Sequence, residues 1–169
     1  MDPLAYHREE AEQRFRSAKR KADFSAIFAR LRGRDNKLMS FDEVKKLLSQ
    51  RGEAYVGVQT LPLDRIVGSE GRYDDFDAQF LPKSWNSLLR WQGVSMANQR
   101  DIGLPAISVY AVKDAYFVRD GNHRVSVAKH LGADQIQAYV HEVKTRVPLS
   151  PDARPEELIL KAEYVAFLE

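Results

Sequence analysis

Five consecutive residues, Asp120-Gly-Asn-His-Arg124, stand between a strand-like run, Tyr116-Phe-Val-Arg119, and a helix-like run that stops at Gly132. A helix that opens straight after a strand leaves its first N–H groups unpaired. Those groups and the positive end of the helix dipole favour an anion, phosphate above all. The side chains suit the same ligand. Arg124 can grip phosphate with two parallel hydrogen bonds, and His123 would bind it or supply a proton. Asn122 would cap the helix or touch the ligand through its amide. Gly121 permits a positive φ or a close backbone approach. Asp120 would cap the turn, hold Mg²⁺ or orient His123, and Ser126 lies one turn into the helix. Arg72, in the Gly-, Ser- and Asp-rich loop Gly68–Asp77, is the second basic candidate. The expected phosphate- or nucleotide-binding set is therefore Arg72, Asp120, Gly121, Asn122, His123, Arg124 and Ser126. Asp74, Asp75 and Asp77 are either metal-binding acids or a solvated loop. A phosphotransferase would need a carboxylate base; Glu70, Asp74 and Asp75 qualify and nothing selects among them. His7, His130 and His141 lack ligand spacing, so no zinc is expected.

The elements that must carry these residues are legible in outline. Phe15, Ala18, Ala22, Ile27 and Leu31 recur near helical spacing, which predicts one long helix over about 5–32 closed by Gly33. Ser40 with Glu43 is a capping box before a second helix, Phe41–Gln50, with Val44, Leu47 and Leu48 on its apolar face and Gly52 as its stop. The two read as an N-terminal helical hairpin. Val56–Val67 reads as extended and Pro82–Val94 as helical. Trp85 and Trp91 lie six residues apart, so one is expected in the core and the other at an interface. Ile107–Val112 and Ala115–Arg119 form a hairpin across Lys113-Asp114, without the usual glycine. A helix over Arg124–Leu131, a strand over Ile136–Val143 and a last helix from Pro155 complete the chain. The expected division is a helical extension over 1–52, a central domain over 53–147 and a packing helix within 148–169.

Composition narrows the chemistry. Among 169 residues there is no cysteine, which excludes disulfides, thiolate metal sites and cysteine nucleophiles, and fits a reducing cytoplasm. No run is long and apolar enough to span a bilayer and no signal-peptide pattern opens the chain. The net charge of +2 is too mild to point to nucleic acid by itself. It is unevenly spread: residues 1–35 carry nine Lys/Arg against six acids, and residues 151–169 two against five. The two ends either attract each other or face separate partners. The basic first helix suggests DNA phosphates or a solvated face over an apolar stripe that packs on the domain or on a second copy of the chain.

Four segments follow one another in a familiar order. They are Leu61-Pro-Leu-Asp-Arg-Ile66; Gly71-Arg72 with Phe76-Asp77; Gly103-Leu-Pro-Ala-Ile-Ser-Val109; and Asp120-Gly-Asn-His-Arg124 with Ala128 and Leu131-Gly132. In this the run from Leu61 to Val143, about half the chain, resembles the N-terminal domain of the ParB chromosome-partition proteins and their sulfiredoxin-like relatives. The resemblance implies an α+β fold with a small mixed sheet, and a phosphate or nucleotide cradle at the last segment for ATP or CTP with Mg²⁺. Its members include CTP-binding clamps, ATP-using reductases, a free-serine kinase whose box reads Asp-Gly-His-His-Arg, and regulators. Asn122 stands where a sulfiredoxin needs cysteine, which rules out that reaction. Only about 25 residues follow the unit, so the helix-turn-helix and dimerisation domain of partition proteins are not expected. A regulatory or interaction module that binds a nucleotide ranks first. A DNA-binding regulator or nuclease ranks second, and a small-molecule phosphotransferase third.

Overall fold

In the computed structural model, which describes residues 2–33, 35–48, 52–99 and 104–145, Asp2 starts the first helix. Its carboxylate accepts from the Leu4 N–H at 3.0 Å and Pro3 follows at the first helical position, where a missing N–H costs nothing. Helix α1 (Pro3–Leu31) buries Ala11, Phe15, Ala18 and Ala22 on one face. Ile27 and Leu31, expected on the same stripe, are exposed instead. At 100° per residue they fall on the opposite side of the helix from Ala18 and Ala22.

Strand β1 (Met39–Ser40) is two residues long and pairs in parallel with Gly68–Ser69. The sequence showed there only the cap: Ser40 Oγ accepts from the Glu43 N–H at 3.4 Å and begins α2 (Phe41–Leu47). Strand β2 (Glu53–Pro62) ends at the proline, a 3-10 turn (Leu63–Arg65) follows, and β3 (Ile66–Ser69) resumes, so the extended run is two strands rather than one. A second 3-10 turn (Trp85–Ser87) leads into α3 (Leu88–Gln99), which starts and ends later than expected. Strands β4 (Ile107–Val112) and β5 (Ala115–Asp120) form the expected hairpin. Lys113 takes a left-handed φ of 55° where glycine would be usual. Helix α4 (Asn122–His130) and β6 (Gln135–Val143) follow. The helix expected from Pro155 lies outside the described residues, as do residues 100–103, Gln50 and the Leu47 side chain.

The fold is α+β, with one mixed sheet in the order β1-β3-β5-β4-β6-β2. Strand alternation divides its side chains between two faces. Ile107, Val109 and Val118 point into a core closed by Val125 of α4 and by Phe76 and Phe80 of the 70–82 loop. Tyr110, Val112 and Phe117 point the other way, onto α2, where Phe41 stacks flat on Tyr110 with centroids 4.3 Å apart. The two N-terminal helices are thus parts of different layers. Helix α2 covers the back of the sheet, while α1 lies on α3 and, through Phe15, Ala18, Trp91 and Val127, on the outer face of α4. Trp91 is fully buried and Trp85 half exposed, the latter tilted against Phe15 at 5.4 Å. Helix α4 is therefore clamped on both sides, which fixes the position of its N-terminus.

Candidate functional site

The end of β5 turns into α4 at Gly121, which is the helix cap and takes φ +112°. A Cβ there would lie 2.5 Å from Ile107 Cγ2, so glycine is required both by the dihedral and by the neighbouring strand. The close approach that demands glycine is to Ile107, not to a ligand. Since Gly121 has no side chain, the first turn of α4 has no side-chain cap. Its N–H groups open toward a cavity of about 620 Å³.

Six of the seven expected residues line that cavity: Arg72, Asp120, Gly121, Asn122, His123 and Arg124. Ser126 does not. It is buried beneath α3, where its hydroxyl accepts from Trp91 Nε1 at 2.9 Å, because position 126 of the helix faces α1 and α3. Asn122 is the first residue of the helix rather than its cap, and it is buried with its Oδ1 unpartnered. Arg124 is anchored: Nη1 donates to the carbonyls of Pro105 (2.6 Å) and Ala106 (3.0 Å), and Nη2 to Asp120 Oδ2 (3.0 Å). Three of the five N–H donors of a guanidinium are so occupied, tying the entry of β4 to α4.

The cations less committed to the fold come from three other elements. Arg72 pairs with Asp75 at 3.1 Å, both partly exposed. Arg90 of α3 has no hydrogen-bond or ion-pair partner among the described residues, and Arg119 of β5 rests only over the Tyr110 ring at 5.8 Å. Sequence reasoning missed Arg90 and Arg119 as site residues. Arg119 had a signal, being adjacent to the motif; Arg90 had none, because only the α3–α4 packing brings it there. The lining thus holds four arginines against two carboxylates, Glu70 and Asp120. His123 sits among them, edge-on to Phe76 at 5.2 Å. Burial, then Arg90 and Arg72, push its pKa down to about 4, so the imidazole is neutral at pH 7. Burial and the Glu70 hydrogen bond push Tyr110 up to about 12.

The acids of the 70–82 loop have separate tasks. Asp77 is buried and its Oδ1 accepts from the Gln79 and Leu81 N–H groups at 2.9 and 3.0 Å; burial nonetheless raises its pKa. Asp75 belongs to Arg72. No group of three or more His, Asp or Glu among the described residues is arranged to hold a metal ion. On α1, Arg14, Arg16 and Lys19 pair with Glu10, Glu12 and Asp23 one turn away, which reduces the field it would offer to DNA. No helix among the described residues is long and apolar enough to cross a membrane.

No family model matches this chain and no curated protein matches it. Among solved structures, sulfiredoxin from Arabidopsis thaliana is similar, with 24% identity over 49% of this chain and 82% of that one and a TM-score of 0.36.

Proposed function

We propose that the chain binds a phosphate-bearing small molecule, of which a nucleotide is the fitting size, at the N-terminus of α4, as a regulatory or interaction module. The observation that carries this reading is the convergence of Arg72, Arg90 and Arg119, from three different elements, on the uncapped first turn of α4. With four arginines against two carboxylates in its lining, the cavity carries a net positive potential that favours an anion. The volume of about 620 Å³ suits a ligand of nucleotide size. In this reading the helix N–H groups and Arg90 hold the anion, Arg72 leaves Asp75 to join them, and Arg124 braces the turn. Mg²⁺ would arrive on the phosphates, as it does in sites without a dedicated protein cage.

Calorimetric titration of ATP, ADP, CTP, GTP and pyrophosphate with Mg²⁺ tests the proposal. At least one is expected to bind, with the affinity lost in Arg90→Ala and its apparent binding constant falling as salt rises. Absence of binding by all five at low ionic strength would sink it.

A further inference from the structure

The C-terminal half of α1 presents Phe24, Ile27, Phe28 and Leu31 to solvent, each 55–77% exposed. Positions 24, 27, 28 and 31 form one stripe, turned away from the Phe15, Ala18 and Ala22 face that seats α1 on the domain. Four large apolar side chains side by side differ from the scattered exposed residues of an ordinary surface, and such a patch marks a contact. The stripe also has a charged border. Residues 19–32 hold five cations, Lys19, Arg20, Lys21, Arg30 and Arg32, and one acid, Asp23, which Lys19 already pairs at 2.7 Å. The occupant must therefore be apolar on one side and acidic at its edges. A second α1 laid stripe on stripe would bring the same cations against each other, so like charges oppose that pairing.

One segment of this chain has the complementary composition. Residues 155–169, outside the described residues, carry four acids against the single base Lys161. They also carry seven large apolar residues, namely Leu158, Ile159, Leu160, Tyr164, Val165, Phe167 and Leu168. Nine residues separate Pro155 from Thr145, the last one described. Extended, they reach roughly 30 Å, about the width of a small domain. A tether of that length also holds the segment at roughly millimolar effective concentration, which favours it over a separate molecule.

We propose that residues 155–169 dock on the Phe24–Leu31 stripe of the same chain, apolar side inward and acids against the basic border. The absence of cysteine in the native sequence allows a clean test in the full chain. Ile27→Cys is combined in turn with Leu158→Cys, Ala162→Cys and Val165→Cys, and the proteins are oxidised on serial dilution. The expected result is a disulfide within one chain for at least one pair, at a yield independent of dilution. Linkage between chains that fades on dilution would instead assign the stripe to a second copy. No linkage in any pair would leave it to another protein, and either outcome overturns the proposal. Limited proteolysis of the cysteine-free chain gives a second reading. Phe28→Glu and Leu160→Glu should each speed cleavage within 146–169 about tenfold. Cleavage as fast in the unaltered chain as in both variants would also overturn the proposal.

Discussion

Arg124→Ala separates a brace from a ligand-binding group. The substitution removes three hydrogen bonds at once, two to the carbonyls of Pro105 and Ala106 and one to Asp120. The arginine side chain is only 14% exposed, whereas Asp120 is 79% exposed, so the ion pair itself contributes little. A hydrogen bond from a charged donor contributes about 1.5–3 kcal/mol. The Ala106 carbonyl is partly buried and the Pro105 carbonyl exposed, which puts each of the two bonds at or just below the lower end of that range. Adding a small term for Asp120, the loss comes to about 2–4 kcal/mol. That is a large share of the 5–15 kcal/mol typical of a domain, yet it leaves the variant folded. Urea unfolding at pH 7 reads the loss as a fall of about 1–2 M in midpoint with unchanged slope. Arg124→Lys should recover less than half of it, because an ammonium lacks the planar fork that reaches two carbonyls and a carboxylate together. Arg90→Ala should move the midpoint hardly at all, within about 0.5 kcal/mol. If Arg124→Ala unfolds at the wild-type midpoint but no longer binds anions, the bracing role is wrong and the guanidinium belongs to the ligand.

Three further outcomes follow from the same geometry. Gly121→Ala combines left-handed strain with a Cβ pressed on Ile107 and should cost about 2–4 kcal/mol; a urea midpoint within error of wild type would contradict it. Ser126→Ala leaves Trp91 Nε1 buried without an acceptor and should cost about 1–3 kcal/mol with anion binding unchanged; weakened binding in a variant of normal stability would return Ser126 to the site. His123 has a folded pKa of about 4, below its ordinary 6.5, so its neutral-state contribution is complete above pH 6.5 and lost as pH falls toward 4. That displacement corresponds to about 3 kcal/mol, and partial exposure of the ring brings it to about 1–2 kcal/mol. His123→Gln should flatten the stability profile across that window by this amount, while His130, whose pKa is lowered in the same direction, cancels in the comparison. Parallel profiles for the two proteins would refute it.

Local signals sufficed where a short stretch of chain decides its own conformation. The β4–β5 hairpin was readable because apolar residues alternate on both sides of a two-residue link, and α2 because Ser40 and Glu43 mark its start. The strand–Asp-Gly-Asn-His-Arg–helix unit was readable for the same reason, with five of its six expected site residues at one cavity, which Arg72 joins from a separate loop. Periodicity also found α1, but it could not say which stripe would be covered. Phe15 and Ala18 pack with Trp91 and Val127, while Ile27 and Leu31 stay largely exposed, and that depends on where α3 and α4 lie. Two-residue β1 had no periodicity to show; it exists because β3 offers it an edge.

The sequence by itself determined that this turn presents polar and basic groups at the start of a helix, because residue type and the order strand, glycine, helix are local properties. Tertiary structure alone decided how those groups divide. Arg124 is drawn to the carbonyls of β4's entry, Ser126 is turned to Trp91, and Arg90 and Arg119 arrive from elements 34 and 5 residues away from Arg124 in the chain. Side-chain direction on a helix is set by what packs around it, and α4 is packed on two sides, which holds its N-terminal turn at the cavity lined by Arg72, Arg90 and Arg119.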